Sequence, residues 1–376
     1  MEHIRFMRFA IKLAKKGLGR TSPNPAVGSV VVKNRKIIGR GYHEKAGLLH
    51  AEVNALLDAG KKAKGSTLYV TLEPCSHFGR TPPCVQAIIK AGVKKVVVGS
   101  IDPNPKVKGK GIRALERNGI EVIKDVLRDE CLSLNESYVK YITKKTPFVV
   151  LKLATTLDGK IATSTGDSKW ITSLESRRYA HRLRSLVDCV MVGSGTILKD
   201  DPGLTVRLVK GKNPARAVLD SSLTIPVKAK IFASRNERVF VFTSAKSSKK
   251  RFPPFSKGGR GGFKIKLLEE KGAEVIRVKE SKDGLSVKDV LKELGKRGVT
   301  SVLIEGGARL AASALKDGVV DKAIFIIAPK IIGGDGVDSL GKLGIKSIKR
   351  GIMLKGIKTM KIGEDFAIEG RACSPA

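Results

Sequence analysis

Two short motifs bring soft metal ligands close to a carboxylate: His50-Ala51-Glu52, then Pro74-Cys75 followed after eight residues by Cys84. One imidazole and two thiolates are the donor set of a catalytic zinc site, in which three protein ligands leave the fourth position to water. Zinc lowers the pKa of such a water from ~16 towards ~7. Glu52, two residues from His50 and not a ligand itself, is placed to carry a proton from that water to a leaving amine. The chemistry this pattern points to is hydrolytic deamination. Each part also has a plain alternative, a histidine that opens a helix and two thiols packed as small hydrophobes.

The elements that must position these groups favour the metal. Residues 51–57 read as a helix with Val53, Leu56 and Leu57 on its apolar face. Residues 67–72 read as a strand that delivers Glu73-Pro74-Cys75 at its end. Cys84-Val85-Gln86 opens a helix, and a helix N-terminus favours the thiolate that zinc needs. Upstream, residues 2–17 read as an amphipathic helix with Ile4, Met7, Ile11 and Ala14 facing inward. Residues 26–42 read as a β-hairpin turning at 33–36. A strand at 95–99 and a helix, short strand and helix over 109–143 complete a first α/β layered domain with a partly parallel sheet.

A boundary falls near Lys144-Lys145-Thr146-Pro147, which divides the chain into domains 1–145 and 146–376. The second half alternates again, with apolar strands at 148–154, 189–193, 217–220, 239–242, 301–305 and 323–327, so it too reads as α/β. Residues 246–266 stand apart, with eight Lys/Arg, no acid and a Gly258-Gly259-Arg260-Gly261-Gly262 run. They read as a low-complexity loop insertion, the sharper alternative being an arginine–glycine arm for RNA.

Glu305-Gly306-Gly307-Ala308-Arg309-Leu310 follows a strand and opens a helix, a place where backbone N–H groups can meet a phosphate. It does not match G-x-G-x-x-G, and a tight turn is its plain alternative. Arg184 and Arg207 are suited to gripping a phosphate bidentately; otherwise they are surface charge. Trp170, the chain's one tryptophan, could stack on a cofactor ring or anchor a core. Lys152, Asp200 and Glu305 are the candidate proton sources in this half.

Composition bounds the reading. The formal net charge of +37 raises nucleic acid as a partner, although a lysine-rich surface or anionic substrates would also account for it. The lysines run along the whole chain, and aromatics, at 5%, do not interleave with them as a base-stacking platform requires. No apolar run approaches the ~20 residues that cross a bilayer. Five scattered cysteines and an N-terminal stretch broken by Arg and Lys point to a cytoplasmic setting.

Pro23-Asn24-Pro25-Ala26-Val27-Gly28, His50-Ala51-Glu52 and the run from Pro74 to Cys84 resemble the riboflavin-biosynthesis bifunctional deaminase/reductase family. The long Cys75–Cys84 spacing, against P-C-x-x-C in other deaminases, is that family's own variant. The resemblance continues through residues 151–160, 166–172, Gly193-Ser194-Gly195-Thr196, 200–207 and Ile304-Glu305-Gly306-Gly307. It implies a cytidine-deaminase-like zinc domain followed by a dihydrofolate-reductase-like domain that uses NADPH. The implied reactions are deamination of a phosphoribosylamino pyrimidine and reduction of its ribosyl side chain.

Carried over by resemblance, Zn²⁺ is held by His50, Cys75 and Cys84, with Glu52 catalytic and Asn24, His43 and His77 at the substrate. NADPH would be lined by Ala154, Trp170, Thr196, Asp200, Ser221, Ser222 and the run Gly307, Ala308, Arg309, Leu310, Ala311, Ala312, Ser313. Ser168, Arg184, Leu204, Arg207 and Glu305 would face the second substrate. The partner expected is a small phosphoribosyl pyrimidine, with no membrane and no nucleic acid, and a homo-oligomer is left open. Two other classes remain: a nucleic-acid deaminase with an accessory domain, and a binding protein whose structural zinc would need a fourth ligand from His77 or Cys131.

Overall fold

The computed structural model describes residues 2–78, 82–234, 236–245 and 260–373. The chain divides into two compact units, Met1–Lys145 and Thr146–Ala376.

In the first unit, α1 (Glu2–Ala14) is followed by the hairpin β1 (Gly28–Lys33) and β2 (Lys36–Tyr42), then α2 (Ala51–Ala59) and β3 (Thr67–Val70). Next come α3 (Cys84–Lys90), β4 (Lys95–Val98), α4 (Lys110–Arg117), β5 (Glu121–Ile123), α5 (Arg128–Leu134) and α6 (Glu136–Lys144). The five strands are ordered β2-β1-β3-β4-β5. β1 is antiparallel to β2 and β3, while β3, β4 and β5 run parallel. Successive side chains of a strand point to opposite faces, so the sheet serves two cores. Val31, Leu68, Val70, Val96 and Val98 meet Ala55, Leu56, Val85 and Ile88. Val30, Val32, Tyr69 and Val97 meet Phe6, Met7, Ala10 and Ile11 of α1.

Two of the expected apolar faces are turned. α1 buries Phe6, Met7, Ala10, Ile11, Leu13 and Ala14, whereas Ile4 is exposed. The buried stripe centres on Met7, Ala10 and Ala14, and Ile4 falls off its edge. α2 buries Ala51, Glu52, Ala55, Leu56 and Ala59, and Leu57 points to solvent. The reason lies in β2: a Cβ on Gly41 would stand 2.2 Å from the Ala51 oxygen, and one on Gly39 2.2 Å from the Ala55 oxygen. Backbone approaches backbone so closely that only alanine fits between, and the larger Leu57 must face away.

In the second unit the strands are β6 (Phe148–Thr156), β7 (Lys160–Ala162), β8 (Cys189–Gly193), β9 (Ala215–Leu219), β10 (Val239–Ser244) and β11 (Ala273–Val278). They are followed by the short β12 (Glu280–Ser281) and β13 (Gly284–Leu285), then β14 (Ser301–Glu305), β15 (Lys322–Ala328), β16 (Val337–Asp338), β17 (Met353–Ile362) and β18 (Asp365–Cys373). The helices are α7 (Leu174–Leu186), α8 (Ser194–Asp200), α9 (Arg260–Glu270), α10 (Val287–Lys296) and α11 (Ala308–Lys316). A nine-stranded sheet runs β11-β10-β9-β8-β14-β6-β15-β18-β17. It is parallel from β11 to β15 and closes with the antiparallel pair β18 and β17. Cys189 and Met191 face one core while Val190 and Val192 of the same strand face the other, as strands covered on both sides require.

The loop expected over 246–266 is corrected at its C-terminal end. Residues 246–259 lie outside the described residues, and 260–266 form the start of α9. Leu268, further along that helix, is buried against Val239 and Val241, and this packing holds the helix on the sheet.

Candidate active sites

The first unit gathers its ligands from three element boundaries. His50 immediately precedes α2 in extended backbone, Cys75 lies beyond the end of β3, and Cys84 is the first residue of α3. His50 Nδ1 is 3.1 Å from Cys84 Sγ and 3.6 Å from Cys75 Sγ, and the Cys84 N–H donates to Cys75 Sγ at 3.3 Å. The three ligand atoms all lie within 4.8 Å of one another. A tetrahedral zinc with bonds of about 2.0–2.3 Å needs its ligand atoms roughly 3.3–3.8 Å apart, so the set fits the ion. Among the described residues this cluster has three members. Cys131 is instead buried in the core under α1, and His77 does not join the cluster, which leaves one side open. The structural-zinc alternative therefore lacks its fourth ligand among the described residues.

That side opens on a pocket of about 390 Å³ whose walls include Asn24, His43, Glu52 and His77. Glu52 is buried, and burial together with the Cys75 charge raises its carboxyl to about 7. The Cys75 thiol is lowered to about 4, first through its hydrogen bond with Cys84, and the Cys84 thiol is raised by the same partnership. His50 is raised through its bond to Cys75. A bound dication would lower Glu52 and Cys84 and hold Cys75 low. His43 is lowered by burial and is therefore neutral, with Nδ1 at 3.1 Å from the Leu49 oxygen and Nε2 at 3.1 Å from Asn24 Nδ2. The consistent tautomer donates from Nδ1–H to Leu49 and accepts from Asn24 at Nε2. Both ring nitrogens are thus engaged, and the His43 ring stands edge-on to that of His50 with centroids 5.2 Å apart.

Sequence reasoning did not name another part of the lining. Asp102, Asn104, Val107 and Tyr138 line the same pocket. The Asp102 carboxylate accepts from the Tyr138 hydroxyl at 3.0 and 3.1 Å and from the Asn104 N–H at 2.8 Å. Burial raises Asp102 to about 6. The signal was present as Asp102-Pro103-Asn104-Pro105 just past a parallel strand, the end of an open sheet where ligands bind.

In the second unit the sequence-derived residues gather at the carboxyl ends of the parallel strands. Thr196 follows β8, Ser221 and Ser222 follow β9, and Gly306-Gly307 follow β14. Cβ atoms built on Gly306 and Gly307 would lie 3.6 and 3.5 Å from Thr196 Oγ1, so these turns touch. Both glycines hold positive φ, 78° and 84°, which admits the tight exit from β14 into α11. Ala154 lies near the end of β6, paired with Ile326.

Several assigned side chains have other work. Leu310 and Ala311 pack into the core, and Ala312 and Ser313 are buried, so the accessible part of that run is Gly307 to Arg309. Leu204 is likewise a core side chain, on a backbone at φ 50°. Arg184 is not a free phosphate clamp: its Nε and Nη2 donate to Glu305 at 2.6 and 2.8 Å, and Nη1 donates to the Thr205 oxygen at 3.0 Å. Lys152, the register partner of Glu305, stands 3.6 Å from it. Burial alone would raise Glu305, but Arg184 and Lys152 overcome it and hold the carboxyl at about 2.

Arg207 is exposed, and its backbone N–H donates to His181 Nδ1 at 2.9 Å. Burial and the charges of Arg184 and Arg207 lower His181 to about 4. Trp170 is 62% exposed, which rules out a core anchor, and the Arg177 guanidinium lies 4.0 Å from its ring centroid. Ser168 lies half-buried in the same loop, and Asp200 is exposed at the end of α8.

Residues 1–100 match the family described as cytidine and deoxycytidylate deaminase zinc-binding region, and residues 147–368 match the RibD C-terminal domain. The riboflavin biosynthesis protein RibD of Aquifex aeolicus is 48% identical over 364 residues, covering 96% of each chain. Among solved structures, RibD of Acinetobacter baumannii is similar with a TM-score of 0.87 at 35% identity over 99% of both chains. A diaminohydroxyphosphoribosylaminopyrimidine deaminase/5-amino-6-(5-phosphoribosylamino)uracil reductase of Thermotoga maritima is similar with a TM-score of 0.85 at 41% identity, also over 99% of both.

Proposed function

Because the chain belongs to the RibD family, the deaminase/reductases of riboflavin biosynthesis, we propose that each unit carries the reaction for which its donor set is suited. The protein is a bifunctional enzyme. It deaminates 2,5-diamino-6-(5-phosphoribosylamino)pyrimidin-4(3H)-one, then reduces the ribosyl side chain with a nicotinamide cofactor to give 5-amino-6-(5-phosphoribitylamino)uracil.

The deaminase occupies residues 1–145, with His50, Cys75 and Cys84 holding zinc. The ion supplies a Lewis acid that makes a water nucleophilic near neutral pH. Glu52, in the pocket wall beside the open side of the cluster, accepts the proton of the attacking water and returns it to the departing amine. Asn24, His77, Asp102 and Asn104 meet the substrate from the pocket lining, and neutral His43 holds Asn24. The observation that carries this reading is a three-ligand cluster whose fourth side faces a pocket that also contains a buried carboxylate.

The reductase occupies residues 146–376, and we assign NADPH as its nicotinamide. The cofactor supplies the hydride. The first-turn N–H groups of α11 and the exposed Arg309 are suited to its phosphates, with Thr196, Ser221, Ser222 and Ala154 along the strand ends and Trp170 at the rim. Of the two arginines suited to the substrate phosphate, Arg207 is the exposed one, since Arg184 is engaged by Glu305. Among the described residues no helix is long and apolar enough to cross a membrane. The five cysteines, all unpaired, support a cytoplasmic enzyme.

The test is Glu52→Gln. Ammonia release is expected to fall by at least ~10²-fold with zinc content unchanged, while nicotinamide oxidation on the deaminated intermediate persists. Unchanged turnover overturns the assignment.

A further inference from the structure

We propose that Glu73 is a positioning residue of the deaminase, clamping the wall of residues 102–112 to the loop that carries the Cys75 ligand. Glu73 is 4% exposed and stands two residues before Cys75. Its Oε2 accepts from the N–H groups of Asp102 at 3.2 Å and Gly109 at 2.9 Å, and its Oε1 from those of Gly111 at 3.0 Å and Ile112 at 3.3 Å. A buried carboxylate with no ion pair among the described residues is costly unless its lone pairs are filled. Here both oxygens are filled twice, by backbone alone. The four donors span eleven residues, from the exit of β4 into the first turn of α4, so one side chain gathers a segment with little regular structure before α4.

A second observation places that segment independently. A Cβ on Gly111 would stand 2.0 Å from the Pro74 oxygen, so the start of α4 lies backbone to backbone against the residue between Glu73 and Cys75. Asp102 at one clamped end, with Asn104 and Val107 inside the span, lines the same pocket as the metal ligands His50 and Cys75. Asp102 is further fixed by Tyr138. Glu73 thereby sets the spacing between the ligand loop and the wall without touching the reacting atoms, since its oxygens are already occupied. Glutamine cannot replace it. One acceptor oxygen becomes an NH₂ facing two N–H donors, and two of the four bonds are lost whichever way the amide turns.

The inference rests on the deaminase reading, and wild-type ammonia release in the same assay tests that reading separately. For zinc-loaded full-length Glu73→Gln we expect the deaminase KM to rise at least about tenfold with kcat within about threefold. Zinc is expected at the wild-type stoichiometry and the reductase rate unchanged. Gly111→Ala displaces the same segment by a different route and is expected to give the same KM signature. The double variant should then be no worse than the poorer single one, because both remove one spacing. Wild-type KM in both variants overturns the clamp while leaving the deaminase intact. So does a loss of zinc and kcat together in both variants, which would make the segment a folding element only.

Discussion

Replacing Glu305 by Gln removes the one negative charge from a buried cluster in which Arg184 donates twice at 2.6 and 2.8 Å and Lys152 stands at 3.6 Å. The size of the effect follows from the carboxyl itself. It is held at about 2 in the fold, against about 4.3 for an unperturbed glutamate, and each unit of difference is worth about 1.4 kcal/mol. The ionised form therefore stabilises the second unit by about 3 kcal/mol at neutral pH. That agrees with the roughly 3–5 kcal/mol lost when one partner of a buried pair is removed.

The sign follows from the direction of the shift. A depressed carboxyl contributes fully above its unfolded value, and the contribution is lost as pH falls through the folded one. The gap between wild type and Glu305→Gln should be about 3 kcal/mol at pH 7, shrink to roughly half near pH 3, and vanish below about 2. Urea unfolding followed by the fluorescence of Trp170, the chain's one tryptophan and a member of the same unit, measures it over the range in which the wild type stays folded. A gap under about 1 kcal/mol at pH 7, or one that widens on acidification, would refute the reasoning.

Two further outcomes test the first unit. Gly41→Ala puts a methyl group 2.2 Å from the Ala51 oxygen and 2.4 Å from the Ala55 nitrogen. It should cost about 1–3 kcal/mol and loosen the residue between His50 and Glu52, seen as weaker zinc retention on dialysis with the reductase unaffected. Chelation of the metal should abolish ammonia release and lower the melting temperature of the first unit, since a ligand that binds only the fold stabilises it. Nicotinamide oxidation on the deaminated intermediate should continue, and its parallel loss would contradict the assignment of the two reactions to separate units.

The metal centre was legible because its ligands sit at element boundaries marked by local sequence: a histidine before a helix, a Pro-Cys after a strand, a cysteine opening the next helix. The parallel strands of the second unit were legible for a similar reason, being continuous apolar runs. What escaped depends on contacts far apart in the chain. Glu73 meets partners 29 to 39 residues away, and nothing near it in sequence marks the bond. Leu57 reads as part of the apolar face of α2 because the glycines that push it outward, Gly39 and Gly41, lie on β2. The pair β17 and β18 was missed because β17 is an edge strand, mostly exposed and lysine-rich, with no apolar run to mark it. Its one signal was Gly363, at φ 60° in the two-residue turn between Ile362 and Asp365.

Two glutamates at similar depth show how surroundings divide the work. Glu52 is buried beside a thiolate, and its carboxyl rises to about 7. Glu305 is buried between Arg184 and Lys152, and its carboxyl falls to about 2. A group held that low does not give up a proton near neutral pH, because it has none to give, and its basicity is too weak to take one. The surroundings of Glu305, one of the three candidate proton sources of the reductase, thus argue against that role. It pairs with Arg184 of α7 and Lys152 of β6 from the end of β14. Asp200, on the exposed end of α8, has no such partner among the described residues to orient it. Lys152, in the middle of β6, stays a candidate: Glu305 faces it in register from the end of β14 at 3.6 Å. The carboxylate that the sequence offers as a proton source is, in the fold, the counter-ion of Arg184 and Lys152.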